Sequence, residues 1–337
     1  MKIPLIEAEG SNYDIGFIIG KKLKSRLKAL LEIEEKNYKR ESGKYLSEHV
    51  KSLQPIIKRT QKHFPNYIDE LRGMSEGSGI GFNPIFALGC EDDLAYNCTS
   101  IAGVSKDGIL LGHNEDWLLD HLNSLFICQI KQKNKSSSIS LGYIGHLPGF
   151  SIGMNSSGLA YTGNSLHFKA NKNGIPLQFS IRALLDVKKY SDLIKLFEIN
   201  NRMIGENSLM VFRNKIFDVE MTPKTYDIIS GRKYLAHTNH VLSKKLIKQE
   251  TRHSQDTIWR LDRANKLLEN NKISIDLFKK ILSDHTHRPH SICCHEYEKR
   301  KGVPYATIGS AIVNVTKGEF YIAHGNPCKS KYIKYKL

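Results

Sequence analysis

The feature that most limits the fold of this 337-residue chain is a change of hydrophobic pattern near residue 98. From about residue 14 to 88, apolar residues such as Leu23, Leu27 and Leu30 recur at helical spacing. After residue 98 they alternate or form short runs, for example SLFICQI, as β-strands do. Turn sequences at 106–108, 157–158, 213–214 and 317–318 separate these runs as hairpin connections do. Helical blocks at 176–199 and 254–283 interrupt the strands, so we predict stacked antiparallel sheets covered by helices.

The composition indicates one compact unit. Hydrophobic residues make up 40% of the chain and charged residues 25%, and no stretch rich in Gly, Ser or Pro divides it. The first residues contain no apolar run of signal-peptide length, and no segment reaches the roughly 18 apolar residues of a membrane span. Six cysteines without paired spacing do not resemble a disulfide framework. We therefore expect a cytoplasmic protein with reduced cysteines.

The formal charge of +16 is compatible with nucleic acid, anionic lipid or an anionic small molecule such as a CoA ester as partner. Much of the excess lies in helix-like stretches such as KKLKSRLK, interleaved with leucine as on a solvated helix face. No nucleic-acid-binding fingerprint accompanies the charge. We therefore expect a small-molecule partner, neither nucleic acid nor membrane.

The segment Asn97-Cys98-Thr99-Ser100 lies where the helical pattern ends, at the foot of a hairpin whose second arm spans 110–117. A thiol followed by hydroxyl residues at a strand start suits self-cleavage, in which the sulfur attacks the preceding carbonyl and water resolves the thioester. Cys98 would then carry a free α-amine with a pKa of about 7.7 to 8, which serves as general base for its own thiol. The alternative is that Cys98 is an inert buried cysteine.

These motifs together resemble the isopenicillin N acyltransferase family of N-terminal-nucleophile hydrolases. The resemblance rests on the order and spacing of eight short segments: GSNYDIGFIIG, YIDELRGMSEGSG, CTS at 98–100, GHNEDW at 112–117, GMNSSGLAYTGNSL at 153–166, AHTNH at 236–240, SIC at 291–293 and HGNPC at 324–328. It implies a four-layer α/β/β/α sandwich of the α+β class. It also implies an amidohydrolase or acyltransferase that acts on small amides or acyl thioesters through an acyl-Cys98 intermediate and needs no cofactor.

The resemblance assigns roles to particular residues. Cys98 maps to the nucleophile, Asp116 to the group that holds its amine, and Asn239 to a donor that stabilises the oxyanion. Cleavage between Asn97 and Cys98 would give a mainly helical α-chain, 1–97, that stays bound to a catalytic β-chain, 98–337. Strand-end Asp and Asn residues more often serve turns, and the same fold without turnover would make a basic binding protein.

Two further asparagines lie in GMNSSGLAYTGNSL. For Asn164 a place in the substrate cleft and a role in turn geometry are equally open, whereas for Asn155 we expect the turn role.

One departure from the family concerns an arginine that its penicillin-forming members carry before the last strand pair. Here the sequence reads Val303-Pro304-Tyr305-Ala306-Thr307, and the nearest upstream arginine, Arg300, does not align without a shift. A penicillin-like substrate is therefore not implied.

The run His285 to His295, with sequence HTHRPHSICCH, contains six potential metal ligands within eleven residues. Its spacing matches no standard zinc finger or knuckle, and adjacent cysteines rarely fit one tetrahedral ion. The sequence therefore predicts no metal site here.

Overall fold

The computed structural model describes residues 3–42, 53–90, 97–231, 233–300 and 303–337, and two β-sheets form its centre. The first sheet contains β1 (Leu5–Glu9), β4 (Leu125–Lys131), β5 (Ser138–Tyr143), β6 (Ile152–Asn155), β7 (Leu159–Thr162), β8 (Asn164–Leu166), β9 (Gly205–Phe212), β10 (Lys215–Met221) and β11 (Tyr226–Ser230). The second contains β2 (Asn97–Ser105), β3 (Gly108–Leu118), β12 (Tyr234–His237), β13 (Tyr297–Arg300), β14 (Val303–Asn314), β15 (Glu319–His324) and β16 (Ile333–Lys336).

Helices cover both sheets. They are α1 (Asn12–Ser42), α2 (Gln54–His63), α3 (Pro65–Ser78), α4 (Phe82–Leu88), α5 (Leu177–Leu184), α6 (Tyr190–Phe197), α7 (Gln255–Glu269) and α8 (Ile275–Leu282). The predicted helical regions 14–88, 176–199 and 254–283 are thus confirmed within the described residues. No helix in the described ranges is long and apolar enough to cross a membrane.

The two sheets pack face to face through one apolar layer. Ile127, Leu141 and Met154 of the first sheet lie in the same buried cluster as Leu111 and Ile308 of the second. A separate apolar cluster joins α1 and α3 to the outer face of the first sheet, and another joins α7 and α8 to the outer face of the second. The predicted α/β/β/α sandwich, the architecture of N-terminal-nucleophile hydrolases, is therefore confirmed.

The predicted turns also form hairpins. Each of the four turn sequences joins neighbouring antiparallel strands: β2 to β3, β6 to β7, β9 to β10, and β14 to β15. Gly108, Gly158 and Gly318 have φ of 122°, 88° and 64°, which glycine adopts without the steric cost of a side chain. The first of these hairpins brings GHNEDW alongside Cys98.

Glycines allow α1 and α3 to cross with their backbones in contact. A Cβ atom on Gly16 would lie 1.7 Å from the carbonyl oxygen of Glu70. One on Gly73 would lie 2.0 Å from the carbonyl oxygen of Tyr13, so neither position accepts a side chain. The glycines of GSNYDIGFIIG and RGMSEGSG thus have a packing role at this crossing.

The N-terminal segment is built into the body of the protein. Strand β1 pairs in parallel with β4 at the edge of the first sheet, a strand that the sequence analysis did not predict. In the helical layer, Arg182 donates to both Glu70 carboxylate oxygens, at 2.9 and 3.1 Å, and both side chains are fully buried. Breaking such a pair would leave a charge unpaired in the interior, which strongly destabilises a fold. Residues before and after position 98 therefore share one interior.

Candidate active site

Cys98 lies at the start of β2, inside the protein. Asn97 pairs with Asp116 and Cys98 with Glu115 across the β2–β3 hairpin. The hairpin places GHNEDW beside the nucleophile candidate, as the sequence predicted, because alternation in both strands fixes the register.

The thiol of Cys98 faces a carboxylate. Its Sγ is 3.4 Å from Glu115 Oε1, and the residue is 1% exposed. Burial, followed by the charges of Glu115 and Asp116, raises the pKa of Cys98 well above its usual range. Cys98 is therefore a neutral thiol that donates to Glu115, and its reaction requires that a base take this proton.

Glu115 belongs to a buried hydrogen-bond chain that leads away from the thiol. Its Oε2 lies 3.2 Å from Nε2 of His113, and Nδ1 of His113 lies 3.0 Å from Ser100 Oγ. Ser100 in turn donates to Asn164 Oδ1 at 2.7 Å. Although burial acts in the opposite direction, hydrogen bonds from His113 lower the pKa of Glu115. Glu115 is therefore a carboxylate next to the thiol.

The far end of the chain sets the direction of every hydrogen bond in it. Asn164 Nδ2 donates to Asn207 Oδ1 at 3.2 Å, and Asn207 Nδ2 donates to Asp218 Oδ1 at 2.5 Å. Burial raises the pKa of Asp218 to about 6, which leaves the group ionised and an acceptor near neutral pH. Because Asp218 accepts, both amides are oriented, and Asn164 presents its oxygen to Ser100.

The orientation of Asn164 determines the direction of the hydrogen bond between Ser100 and His113. Ser100 gives its proton to Asn164, so the Ser100 oxygen accepts from Nδ1 of His113. Nε2 of His113 and Oε2 of Glu115 then face each other, and a proton must lie between them. The chain thus engages one oxygen of Glu115 with His113 and keeps the other oxygen available to the thiol.

Asn239 and Arg260 hold the backbone of Cys98. The amide N–H of Cys98 donates to Asn239 Oδ1 at 2.7 Å, and Asn239 Nδ2 donates to the carbonyl of Ser165 at 3.2 Å. Arg260 donates to the carbonyl of Cys98 at 2.5 Å and to Asn239 Oδ1 at 3.0 Å. A side-chain amide has two N–H bonds, so the contact with Ser165 leaves one for another acceptor.

Two hydroxyl groups of β14 hold Asp116 in place. Its Oδ1 accepts from the Thr307 hydroxyl at 2.5 Å, and its backbone carbonyl accepts from the Tyr305 hydroxyl at 2.6 Å. The Tyr305 oxygen also accepts the N–H of Asn97, so β14 contacts the residue before the bond to be cut. Tyr305 and Thr307 stand in the stretch where the family's penicillin-forming members carry an arginine. The side chain of Arg300 lies outside the described residues.

The structure brings Cys98, Asp116, Asn97 and Asn239 together and connects Asn164 to them through Ser100. Asn155 has a turn role: its Oδ1 accepts from the backbone N–H of Ser157 at 3.0 Å.

Sequence reasoning missed Glu115, His113 and Arg260. In GHNEDW, His113 and Glu115 are two positions apart, so both side chains lie on the same face of β3. This is the face from which Glu115 contacts Cys98. Arg260 occupies a position of α7 whose helical neighbours, Thr257, Leu261 and Ala264, are buried. An arginine on the apolar face of a predicted helix was the available signal.

A small cavity adjoins Glu115, the carboxylate that faces the Cys98 thiol. It has a volume of about 20 Å³, room for about one water molecule, and its lining includes Glu115, Asn164, Ser165 and Glu206. Glu206 is 2% exposed, and burial raises its pKa well above the usual 4.5, opposed by Arg202.

Comparison with known proteins identifies one sequence relative and two similar solved structures. The chain is 25% identical over 303 residues to the beta-alanyl-dopamine/carcinine hydrolase of Drosophila melanogaster, covering 81% of this chain and 77% of the relative. A mutant conjugated bile acid hydrolase from Clostridium perfringens gives a TM-score of 0.46 at 14% identity, covering 71% of this chain and 97% of that one. Penicillin V acylase from Agrobacterium tumefaciens gives 0.45 at 11% identity, covering 71% and 86%.

The family model described as acyl-coenzyme A:6-aminopenicillanic acid acyl-transferase matches residues 104–329. The match begins beyond Cys98, so the role of this residue rests on the geometry above. Because the match covers more than half of the chain, the chain belongs to the acyl-coenzyme A:6-aminopenicillanic acid acyl-transferase family.

Proposed function

We propose that this chain is a self-processing N-terminal-cysteine amidohydrolase or acyltransferase that acts on small amides or acyl thioesters through an acyl-Cys98 intermediate. The observation that carries the proposal is the Cys98 thiol, held 3.4 Å from the Glu115 carboxylate in the strand that contains the Asn97–Cys98 bond. A structural cysteine has no need of a buried carboxylate at its sulfur, because burying that charge is costly.

Glu115 serves as the base for self-cleavage, before any free amine exists. It takes the thiol proton, and the Cys98 sulfur attacks the carbonyl carbon of Asn97. The bond from this carbon to the Cys98 nitrogen breaks, and the nitrogen takes a proton and leaves as an amine. Water then hydrolyses the thioester, which frees the Asn97 carboxyl group and restores the thiol. The cavity beside Glu115 has room for this water molecule.

After cleavage the amine of Cys98 becomes the base for substrate turnover. Asn239 Oδ1, which lies 2.7 Å from this nitrogen in the uncut chain, orients the amine, and the charge of Asp116 stabilises its protonated form. The remaining N–H of Asn239 donates to the oxyanion of the tetrahedral intermediate, a contact typically worth about 2.7 to 4 kcal/mol in kcat. Arg260 fixes the nucleophile by its hydrogen bond to the Cys98 carbonyl.

We propose that residues 1–97 stay bound after cleavage, because the β1–β4 pairing and the buried Glu70–Arg182 pair span the cut. Removal of the α-chain would take Glu70, one of two carboxylate partners, away from the buried Arg182 and leave only Asp186. We propose a cytoplasmic location, on the sequence argument alone.

Two measurements on the purified protein test the proposal: its intact mass under denaturing conditions and its elution in native buffer. Two fragments whose masses correspond to 1–97 and 98–337 and which co-elute in native buffer are expected. The protein is then assayed with N-β-alanyl-dopamine, for which the Drosophila relative is named, and with acyl-CoA thioesters. Each assay is run with and without an added amine. Product analysis separates hydrolysis from acyl transfer. A permanently intact chain without turnover would instead support a non-catalytic binding protein.

A further inference from the structure

Outside the active site, four side chains direct sulfur and nitrogen atoms at one point. These atoms all lie within 4.8 Å of one another, and the residues, called here the His/Cys cluster, are His285, Cys293, His295 and Cys328. The first three lie between α8 and β13, and Cys328 follows β15. The cluster therefore joins two segments that are distant in sequence.

Four of the six separations within the cluster match the edges of a tetrahedral zinc site, and the other two, from His285 to the sulfurs, are within 4.8 Å. The two Sγ atoms are 3.6 Å apart, and the two Nε2 atoms are 3.1 Å apart. His295 Nε2 lies 3.8 Å from Cys293 Sγ and 3.3 Å from Cys328 Sγ. With Zn–S of about 2.3 Å and Zn–N of about 2.05 Å, tetrahedral edges are about 3.8 Å for S to S, 3.5 Å for S to N and 3.3 Å for N to N. Every measured separation agrees with its edge to within about 0.3 Å.

Hydrogen bonding alone explains this arrangement poorly. Two Nε2 atoms that face each other require opposite tautomers, and thiols are weak donors and acceptors. A disulfide needs sulfurs at about 2.05 Å and would leave the two imidazoles without a reason to converge on it. A metal ion accounts for all four atoms at once.

We propose that the His/Cys cluster binds one zinc ion in a closed, structural site. Two thiolates and two neutral imidazoles give a complex without net charge, which suits a partly buried position. Asn326 donates from Nδ2 to Cys293 Sγ at 3.5 Å, as partners of ligating sulfurs do. Four protein ligands complete the tetrahedron and leave no open position for a substrate, so the ion stabilises the fold.

The ion would hold the segment that supports Asp116. Cys294 follows a ligand directly, and its N–H donates to Thr307 Oγ1 at 2.9 Å. The Thr307 hydroxyl is the donor to Asp116 Oδ1. Loss of zinc would therefore loosen β14 at the position that fixes Asp116, whatever reaction Cys98 performs.

Metal analysis of the full-length protein tests the zinc site independently of activity. The protein is purified under reducing conditions, without a metal-affinity step, from cells supplied with zinc, and we expect about one zinc ion per chain. The double variant Cys293→Ser with Cys328→Ser should contain none, whereas the matched control Cys90→Ser with Cys128→Ser should keep its zinc. Wild-type protein without zinc, or zinc retained in the first double variant, would overturn the proposal.

Two measurements on wild-type protein remain informative even if the variant does not fold. Co²⁺ exchanged into the site should give the visible absorption of tetrahedral, thiolate-bound cobalt. Cys328, which is exposed, should resist alkylation until a strong chelator is added. Absence of the cobalt spectrum, rapid alkylation before chelation, or a Cys293–Cys328 disulfide in the reduced preparation would each contradict a zinc site.

Discussion

Two clusters of cysteine and histidine in this protein differ in what surrounds the sulfur. At Cys98 a single thiol faces the Glu115 carboxylate, whose other oxygen is engaged by His113. In the His/Cys cluster two thiols face two imidazoles. The first arrangement offers the thiol proton one acceptor, whereas the second surrounds a point with four potential ligand atoms. In our proposals, similar residue types therefore serve a reaction in one place and a metal ion in the other.

Position in the fold explains the difference. Cys98 is on β2, an inner strand of the second sheet, where the register with β3 fixes each neighbour. The His/Cys cluster lies in connections after α8 and after β15, which only tertiary contacts bring together. A nucleophile needs a precise environment for one atom, and the interior of a sheet supplies it. The connections after α8 and after β15 are distant in sequence, and a shared metal ion would link them.

The largest expected effect is the contrast between Cys98→Ala and Cys293→Ala. Cys98→Ala removes the nucleophile, so both self-cleavage and turnover should be abolished, and Cys98→Ser should cleave slowly because a hydroxyl is the weaker nucleophile. Cys293→Ala should still be cut, with lower thermal stability. The readouts are intact mass and thermal unfolding. Full activity in Cys98→Ala would remove the distinction between the clusters.

Glu115→Gln tests whether the carboxylate is the base for self-cleavage. An amide of the same shape cannot take the thiol proton, so the rate of cleavage should fall by about 10² to 10⁴. The rate is measured on freshly translated precursor by the appearance of the 98–337 fragment. Glu206→Gln, which alters a carboxyl group of the same cavity, is the matched control and should be cut at the wild-type rate. Equal rates in both variants would assign the proton to another acceptor.

Asn239→Ala tests the proposed oxyanion donor. In cleaved enzyme, kcat should fall by about 10² to 10³ with KM little changed, because the lost contact exists mainly in the transition state. Cleavage and folding are verified first, since a blocked precursor would resemble a catalytic defect. A cleaved variant with normal kcat would leave backbone N–H groups as the oxyanion donors.

Asp116→Asn removes a charge near the Cys98 amine while it keeps the shape of the side chain. Since a carboxylate favours the ammonium form, its loss should lower kcat and shift the basic group's pKa in the pH–rate profile downward. The shift should exceed that in Asn239→Ala, because an amide dipole stabilises an ammonium less than a full charge does. An unmoved profile in cleaved Asp116→Asn would show that Asp116 does not hold the amine.

The smallest effect concerns Glu206, whose pKa burial raises well above 4.5. The folded protein holds this proton more tightly than the unfolded chain, so this group's contribution to stability falls as pH rises above about 4.5. Glu206→Gln has no such proton, so its melting temperature relative to wild type should increase with pH above this value. Thermal unfolding from pH 4 to 8 measures the difference, and a constant difference would contradict a raised pKa.

The hairpin around Cys98 was predictable because its information is local. Alternation in both arms and the turn at Gly108 specify which residues pair, and these pairs bring Asp116 and Glu115 to Cys98. Asn239 was found only through the family motif, since its contact with Cys98 spans 141 positions.

The features that were missed depend on distant partners. Strand β1 has only five residues, and its partner β4 follows more than one hundred positions later. The sequence argued against a metal because the spacing within 285–295 fits no finger, but Cys328, which completes the tetrahedron, lies 33 positions beyond His295. The proposed zinc site therefore revises that prediction.

The central claim is that Cys98 carries the acyl group, and trapping the intermediate tests it most directly. Cleaved wild-type enzyme is mixed with an N-acyl amide or acyl-CoA substrate, quenched in acid during turnover and digested for peptide mass analysis. We expect the acyl mass on the peptide that begins with Cys98, bound as a thioester that hydroxylamine removes. Turnover with the acyl group on another residue, or on a chain still joined between Asn97 and Cys98, would contradict the account.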